Sequence, residues 1–156
     1  MSLLPAVRRG SMGDRAFVAD LGRRTLDDSV SALRRAPRVA LEASFERLLD
    51  FAFERSYVLL IAETELDGLL GFILLLDELP DEMTGEIQGF VAYMAVEPEA
   101  RHRGIAARLL GAAEDAARVR GLPYMALMVT EENEAARELY AGAGYQTERR
   151  LLCKPL

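Results

Sequence analysis

The stretch Tyr93–Leu110 constrains the fold of this chain more than any other. An apolar run over residues 90–96 predicts a buried strand, and an Ala- and Leu-rich run over residues 105–120 predicts a helix that ends at Gly121. The short loop between them, Arg101–Gly104, is rich in positive charge. The sequence therefore predicts a strand, a basic loop and a helix N-terminus directed at one point.

This arrangement suits a phosphate. The first N–H groups of a helix have no partner within the helix, and the helix dipole places partial positive charge there. Gly104 permits a tight turn, and the forked guanidinium groups of Arg101 and Arg103 match phosphate oxygens. We interpret the loop as a pyrophosphate-binding loop.

Two blocks of residues resemble a known family. Residues 96–106 read Val-x-Pro-x-x-Arg-x-x-Gly-x-Ala, which resembles motif A of the GNAT superfamily of acyl-CoA-dependent N-acetyltransferases, Gln/Arg-x-x-Gly-x-Gly/Ala. Residues 133–140 read Asn-x6-Tyr and are followed by Gly144-Tyr145, which resembles motif B at the same spacing, one predicted strand further along. The joint match is more specific than either block alone.

The resemblance implies a donor, a mechanism and a set of residues. Acetyl-CoA is the implied co-substrate, and no metal is expected. The amine would attack the thioester directly, a strand N–H would stabilise the oxyanion, and Tyr140 would protonate the departing CoA sulfur as general acid. The residues implied to bind the donor are Met94, Ala95, Val96, Arg101, His102, Arg103, Gly104, Ile105, Ala106, Asn133 and Tyr140.

The general base is not assigned by the sequence. Relatives often carry a carboxylate early on the first strand or near the end of the second, where this chain has Phe90 and Met128. Glu86, Tyr93 (through a water) and Glu131 are the remaining candidates for base or acceptor-site residues.

Asn133 and Tyr140 also have structural explanations, and His102 is not expected to act in catalysis. Asn133 could be only a helix N-cap, and Tyr140 could be an ordinary core aromatic on the same helix face as Ala136. His102 is the single histidine, but its place in the loop directs it toward phosphate or solvent rather than toward catalysis.

Length and composition limit the class of protein. The 156 residues fit one domain spanning 1–156, and no apolar run approaches the roughly 20 residues that a membrane span requires. One cysteine, Cys153, excludes an internal disulfide, and the net charge of −6 argues against nucleic-acid binding. We expect a cytoplasmic protein, and since relatives are often dimers, a homodimer is a further expectation that the sequence does not locate.

The charge is unevenly distributed. Residues 56–100 contain ten acidic residues and no Lys or Arg. These acids could be solvated turn and edge residues, or they could form an acidic entrance that attracts a cationic amine.

The predicted order of elements is β-α-α-β-β-β-α-β-α-β, an α/β chain expected to form a GNAT-like three-layer α/β sandwich with a mixed, mostly antiparallel central sheet. The expected strands are 6–9, 57–63, 69–77, 90–96, 124–129 and one or two in 145–154; the expected helices are 14–26, 41–55, 105–120 and 134–141, with 27–37 ambiguous and 79–88 a polar loop.

Two functions fit these observations, and a third fits them poorly. The first is an acetyl-CoA-dependent N-acetyltransferase acting on a small-molecule or peptide amine, which follows from the resemblance. The second is a CoA-binding sensor or partner module without turnover, favoured by the missing carboxylates. A nucleotide-binding loop is disfavoured because the chain has neither a Gly-x-x-x-x-Gly-Lys-Ser/Thr run nor the glycine-rich dinucleotide pattern.

Overall fold

The computed structural model describes residues 4–156, and its centre is one five-stranded mixed sheet. The strands are β1 (Ala6–Arg9), β2 (Tyr57–Thr64), β3 (Gly68–Pro80), β4 (Ile87–Val96) and β5 (Met125–Leu127). The helices are α1 (Arg15–Arg24), α2 (Arg38–Phe53), α3 (Ile105–Val119) and α4 (Glu134–Gly142). No helix within the described range is long and apolar enough to cross a membrane.

The sheet order follows the chain, β1-β2-β3-β4-β5. The first four strands pair antiparallel, and β4 and β5 pair parallel. A parallel pair requires a long crossover connection, and α3 supplies it. This arrangement confirms the predicted α/β sandwich with a mixed, mostly antiparallel sheet.

Two hydrophobic cores cover the two faces of the sheet. Because side chains alternate along a strand, Leu59 and Ile61 of β2 enter the core beneath α1 and α2, while Leu60 enters the core beneath α3. Each fully buried side chain of this size contributes about 1.5–3 kcal/mol. Burial on both faces explains why β2 and β3 are continuous apolar runs rather than alternating ones.

The strands expected over residues 57–63 and 69–77 are found and form an antiparallel hairpin. Gly68 has a φ of 75°, the left-handed region that favours glycine, and the backbone N–H of Asp67 donates to Thr64 Oγ1 over 2.8 Å. The next hairpin, between β3 and β4, is longer than expected, since β3 extends to Pro80 and β4 begins at Ile87. The loop expected over residues 79–88 is therefore only the turn 81–86.

The starts of the first two helices differ slightly from the expected 14 and 41. The first helix begins at Arg15, and Asp14 occupies its N-cap position without a side-chain hydrogen bond to that helix. Ser11 caps a 3₁₀ turn over Met12–Asp14, and Asp14 completes this capping box by accepting from the Ser11 backbone N–H. The second helix begins at Arg38, directly after Pro37, rather than near Leu41. Proline is favoured at such boundaries because it restricts the residue before it.

The closing strands expected in residues 145–154 are wrong. Residues 145–156 form no regular secondary structure, and Leu151 and Leu152 are exposed. Arg149 instead pairs with Asp81 and with Glu82 in the turn between β3 and β4. The segment is thus held by side-chain ion pairs and leaves β5, which is also shorter than the predicted 124–129, at the edge of the sheet.

Candidate active site

The loop between β4 and α3 presents backbone N–H groups to solvent. Gly104 occupies the N-cap position of α3 with a φ of 74°, and no side chain caps this helix. His102 has a φ of 64°, and among residues 4–156 it is the one non-glycine residue with a positive φ. Residues 101–104 are all exposed. A turn of this kind directs successive N–H groups to one side, which makes the loop a site for an anion.

Both arginines of this loop lie against carboxylates. Arg101 Nη2 lies 3.0 Å from Asp28 Oδ2, and Arg103 Nη2 lies 3.3 Å from Asp67 Oδ2. These side chains are between 36% and 50% exposed, so each pair contributes at most about 1 kcal/mol. Phosphate oxygens can therefore replace the carboxylates at modest cost, and this donor set fits the pyrophosphate of CoA.

The edge of β4 next to this loop is open. Pairing between β4 and β5 ends at Val91 and Leu127, but β4 continues to Val96 and stays paired with β3 on its other side. Within the described residues, the stretch 92–96 therefore has no strand on its β5 side. This stretch contains Met94, Ala95 and Val96, the residues expected to hydrogen-bond the donor through their backbone.

Tyr140 lies on α4 and packs against the core that also contacts Met94 and Val96. Burial, and neither a hydrogen bond nor a neighbouring charge, raises the pKa of its phenol above the usual 10. The phenol is consequently protonated at neutral pH, as a general acid must be.

Asn133 has the structural role that its position suggests and a second contact as well. Its Oδ1 accepts from the backbone N–H of Ala136 over 3.2 Å, which caps α4. Its Nδ2 donates to the backbone carbonyl of Asp28 over 3.3 Å. The helix-cap explanation is confirmed, and the expected contact with the donor stays a prediction.

The candidates for the general base are not brought together. Tyr93 points into the core beneath α1 and α2, and its hydroxyl lies 3.1 Å from Thr25 Oγ1 and 3.5 Å from Ser29 Oγ. Glu86 is exposed at the turn before β4, seven residues before Tyr93, which corresponds to about 23 Å along an extended chain. Glu131 is exposed and pairs with Arg137. The described residues leave the base unassigned.

The model of the acetyltransferase (GNAT) family matches residues 27–145. The chain belongs to the GNAT acetyltransferase family. The acetyltransferase ECA0875 of Pectobacterium atrosepticum is 33% identical over 82 residues, which are 48% of this chain and 58% of that protein. The chain therefore matches little more than half the length of this relative.

The fold of the GNAT family is also found among solved structures. An acetyl transferase from Pyrococcus furiosus superposes with a TM-score of 0.83 at 22% identity, covering 97% of this chain and 99% of the other. AAC(6')-Iy, in complex with the bisubstrate analogue CoA-S-monomethyl-acetylneamine, superposes with a TM-score of 0.68 at 19% identity, covering 97% of both chains. At these identities the likeness establishes the fold.

Most of the ten acidic residues in 56–100, which we call the acidic block, form ion pairs in this GNAT chain. Among residues 4–156, seven of these carboxylates lie within salt-bridge distance of arginines from the flanking segments: Glu63, Asp67, Asp77, Glu78, Asp81, Glu82 and Glu97. These ion pairs thus connect residues 56–100 with arginines in both flanking segments. This supports the structural explanation of the block more than an acidic entrance.

Two residues of the site were not found from the sequence. Asp28 reaches Arg101, and Glu132 accepts from the backbone N–H of Ala32 over 3.0 Å. That contact lowers the pKa of the Glu132 carboxyl. Both contacts join segments about 70 to 100 residues apart, and no local pattern indicates such partners.

Proposed function

We propose that this protein is an N-acetyltransferase that moves an acetyl group from acetyl-CoA to a primary amine. The observation that carries the proposal is the uncapped N-terminus of α3, with Arg101 and Arg103 beside it and the open edge of β4 next to it. One structural relative, AAC(6')-Iy, binds an analogue in which CoA is joined to an acetylated amine. That complex supports the same use of this fold here.

Each part of the site has a proposed task. The N–H groups of Gly104, Ile105 and Ala106 and the two arginines hold the pyrophosphate, and the backbone of Met94–Val96 holds the pantetheine and donates to the thioester oxygen. The thioester supplies the activated acetyl group. Tyr140 gives its proton to the departing sulfur, and the protein accelerates the reaction mainly by placing amine and thioester together.

The proposal is tested by binding and then by turnover. A donor present at 100 times its Kd adds about 2.7 kcal/mol to the free energy of unfolding, which raises the Tm of a domain of this size by about 5–10 °C. A panel of primary amines is then incubated with acetyl-CoA, and thiol release is measured. Absence of both stabilisation and thiol release would contradict the proposal.

A second candidate is a CoA-binding module without turnover. It is supported by Phe90 and Met128, which stand where a carboxylate base is expected; Met128 is 80% exposed and brings no titratable group. Stabilisation by acetyl-CoA without thiol release for any amine would favour this candidate.

The acceptor class rests on a weaker argument. We propose a cationic small-molecule or peptide amine because the net charge of the chain is −6, and a cytoplasmic location as a further proposal. Comparing cationic with neutral amines of similar size in the thiol-release assay tests the first point.

A further inference from the structure

The segment between α1 and α2 crosses the proposed donor site. It begins with a 3₁₀ turn over Leu26–Ser29 and continues without regular structure to Pro37. We call residues 27–33 of this segment the strap. The strap is rooted at Thr25 and Leu26, which are buried, whereas Asp27, Asp28 and Ser29 are exposed.

Hydrogen bonds from Asp28, Ser31 and Ala32 hold the strap to the donor site, and the Ser31 hydroxyl donates to Glu132 Oε1 over 3.4 Å. Asp28 Oδ2 accepts from Arg101 Nη2 over 3.0 Å, and the Asp28 carbonyl accepts from Asn133 Nδ2 over 3.3 Å. Further along, the Ala32 N–H donates to Glu132 Oε1 over 3.0 Å. Two of these partners are proposed to bind acetyl-CoA: Arg101 belongs to motif A, and Asn133 belongs to motif B.

The Asp28 carboxylate therefore lies on a guanidinium that is proposed to bind a phosphate. An exposed ion pair of this kind is weak, and a pyrophosphate brings more negative charge and more acceptor oxygens to the same guanidinium. A contact of this strength can be replaced by a pyrophosphate.

Release of the strap would also change the surroundings of Tyr93, which lies in the core beneath α1 and α2. Ser29, at the start of the strap, and Thr25, at its root, place their hydroxyls beside the hydroxyl of Tyr93. Movement beyond the buried root changes Ser29 and leaves Thr25 in place, so the environment of Tyr93 is linked to the state of the strap.

We propose that Asp28 holds the strap closed over the donor site in the free protein and that acetyl-CoA releases it by replacing the Asp28 contacts. Release of the strap then moves the Ser29 hydroxyl away from the hydroxyl of Tyr93. Asp28 is a positioning residue in this scheme, because it acts through Arg101 and Asn133. The inference rests on the proposed function.

The first test is the Kd for acetyl-CoA of the Asp28→Asn protein. This substitution removes the competing charge and keeps the backbone carbonyl, so the Kd should fall by about two- to fivefold. Asp27→Asn is the matched control, since it removes the same charge one residue earlier, where the partner is Arg38 rather than the donor site. An equal effect of both substitutions would reduce the result to general charge and overturn the inference.

The second test follows hydrogen exchange in peptides covering residues 26–36. Saturating acetyl-CoA should accelerate exchange in the wild-type strap, although ligands usually slow exchange, and should slow it over residues 101–108. In Asp28→Asn the strap should exchange fast before the donor is added. Slower exchange in the strap upon donor binding would show that it closes on acetyl-CoA and would overturn the inference.

The two proposals fail in distinguishable ways. If the wild-type protein binds acetyl-CoA but neither its strap exchange nor the Kd of Asp28→Asn changes as described, only the role of Asp28 is wrong. If the wild-type protein does not bind millimolar acetyl-CoA, the proposed function and the inference both fall.

Discussion

The rings of Tyr140 and Tyr145 meet edge to face, with centroids 5.9 Å apart and an interplanar angle of 64°. The hydroxyl of Tyr145 donates to Glu114 Oε2 over 2.8 Å, whereas the pKa of Tyr140 is raised by burial alone. Two phenols in one aromatic pair therefore have different surroundings. Among residues 4–156, Tyr145 has a carboxylate partner and Tyr140 has none that would compete for its proton.

We predict that Tyr140→Phe lowers kcat about 100-fold or more and changes the KM for acetyl-CoA much less, because the substitution removes a proton donor and keeps the ring. The assay is thiol release with whichever amine proves to be an acceptor. An unchanged kcat would remove Tyr140 from the mechanism.

Tyr145→Phe is the matched control for this prediction. It keeps the edge-to-face pair and loses the bond to Glu114, so we expect a lower Tm and a kcat near that of the wild type. A loss of kcat as large as that of Tyr140→Phe would indicate that packing of the pair, rather than proton transfer, sets the rate.

Charge reversal at Arg103 in the loop should weaken binding of acetyl-CoA. We expect Arg103→Glu to raise the Kd for acetyl-CoA about tenfold or more, because the substitution replaces a charge-assisted hydrogen bond to phosphate with electrostatic repulsion. Arg118→Glu makes the same charge change at the other end of α3, where the partner is Asp115, and should bind acetyl-CoA normally. Calorimetric titration measures both, and equal binding by Arg103→Glu and wild type would contradict the assigned loop.

The sequence was most informative where local pattern decides the structure. The turn at Asp67-Gly68 and the loop at Arg101–Gly104 are specified by residues within a few positions of each other, and the strands and the helix expected around them are present. Binding of pyrophosphate by the loop stays a prediction. The 145–154 strands were not, because strand formation depends on a partner edge, and Arg149 is instead drawn to carboxylates 67 and 68 residues earlier in the chain. Asp28 was missed for the same reason, since its partners lie far away in sequence.

Within residues 4–156, the outer edge of β5 pairs with no strand, and it is where we place the proposed homodimer. An unpaired edge is a template for another strand, and Leu151 and Leu152 lie exposed in the segment that fails to cover it. We propose that two copies associate there, and we expect the Leu151→Glu/Leu152→Glu protein to sediment as a monomer at concentrations where the wild type is a dimer. Val119→Glu, which changes an equally exposed residue on α3, should not affect the sedimentation. A monomeric wild type would exclude the dimer.

The turn between β3 and β4 should lose stability in acid. The backbone N–H of Thr84, and next the guanidinium of Arg149, lower the pKa of the Asp81 carboxyl to about 2. Because the folded pKa lies below the unfolded one, the stabilisation is present above pH ~4 and is lost as the pH falls toward 2.

Urea unfolding of wild type and Asp81→Asn measures this effect. We expect the wild type to have the higher midpoint at pH 6 and the difference to shrink between pH 4 and pH 2. A difference that is constant with pH would show that the side chain stabilises the turn through neutral hydrogen bonds alone.

The most buried carboxylate of the described chain should make Arg120 important for stability. The side chain of Asp77 is 3% exposed; its Oδ2 lies 2.6 Å from Arg120 Nη1, and its Oδ1 has no hydrogen-bond partner within residues 4–156. Arg120→Ala leaves this charge buried without compensation, and we expect a loss of about 3 kcal/mol in the free energy of unfolding. Arg118→Ala, two residues earlier, breaks only an exposed pair with Asp115 and should cost less than about 0.5 kcal/mol.

The cause can be separated from lost packing by a second substitution. In the Arg120→Ala background, Asp77→Asn removes the buried charge, and we expect it to restore part of the lost stability even though it is destabilising by itself. Chemical unfolding of the four proteins of this cycle gives the coupling free energy. Additive effects of the two substitutions would mean that Arg120 stabilises the end of α3 through its aliphatic stem or through Glu78, and not through the buried carboxylate.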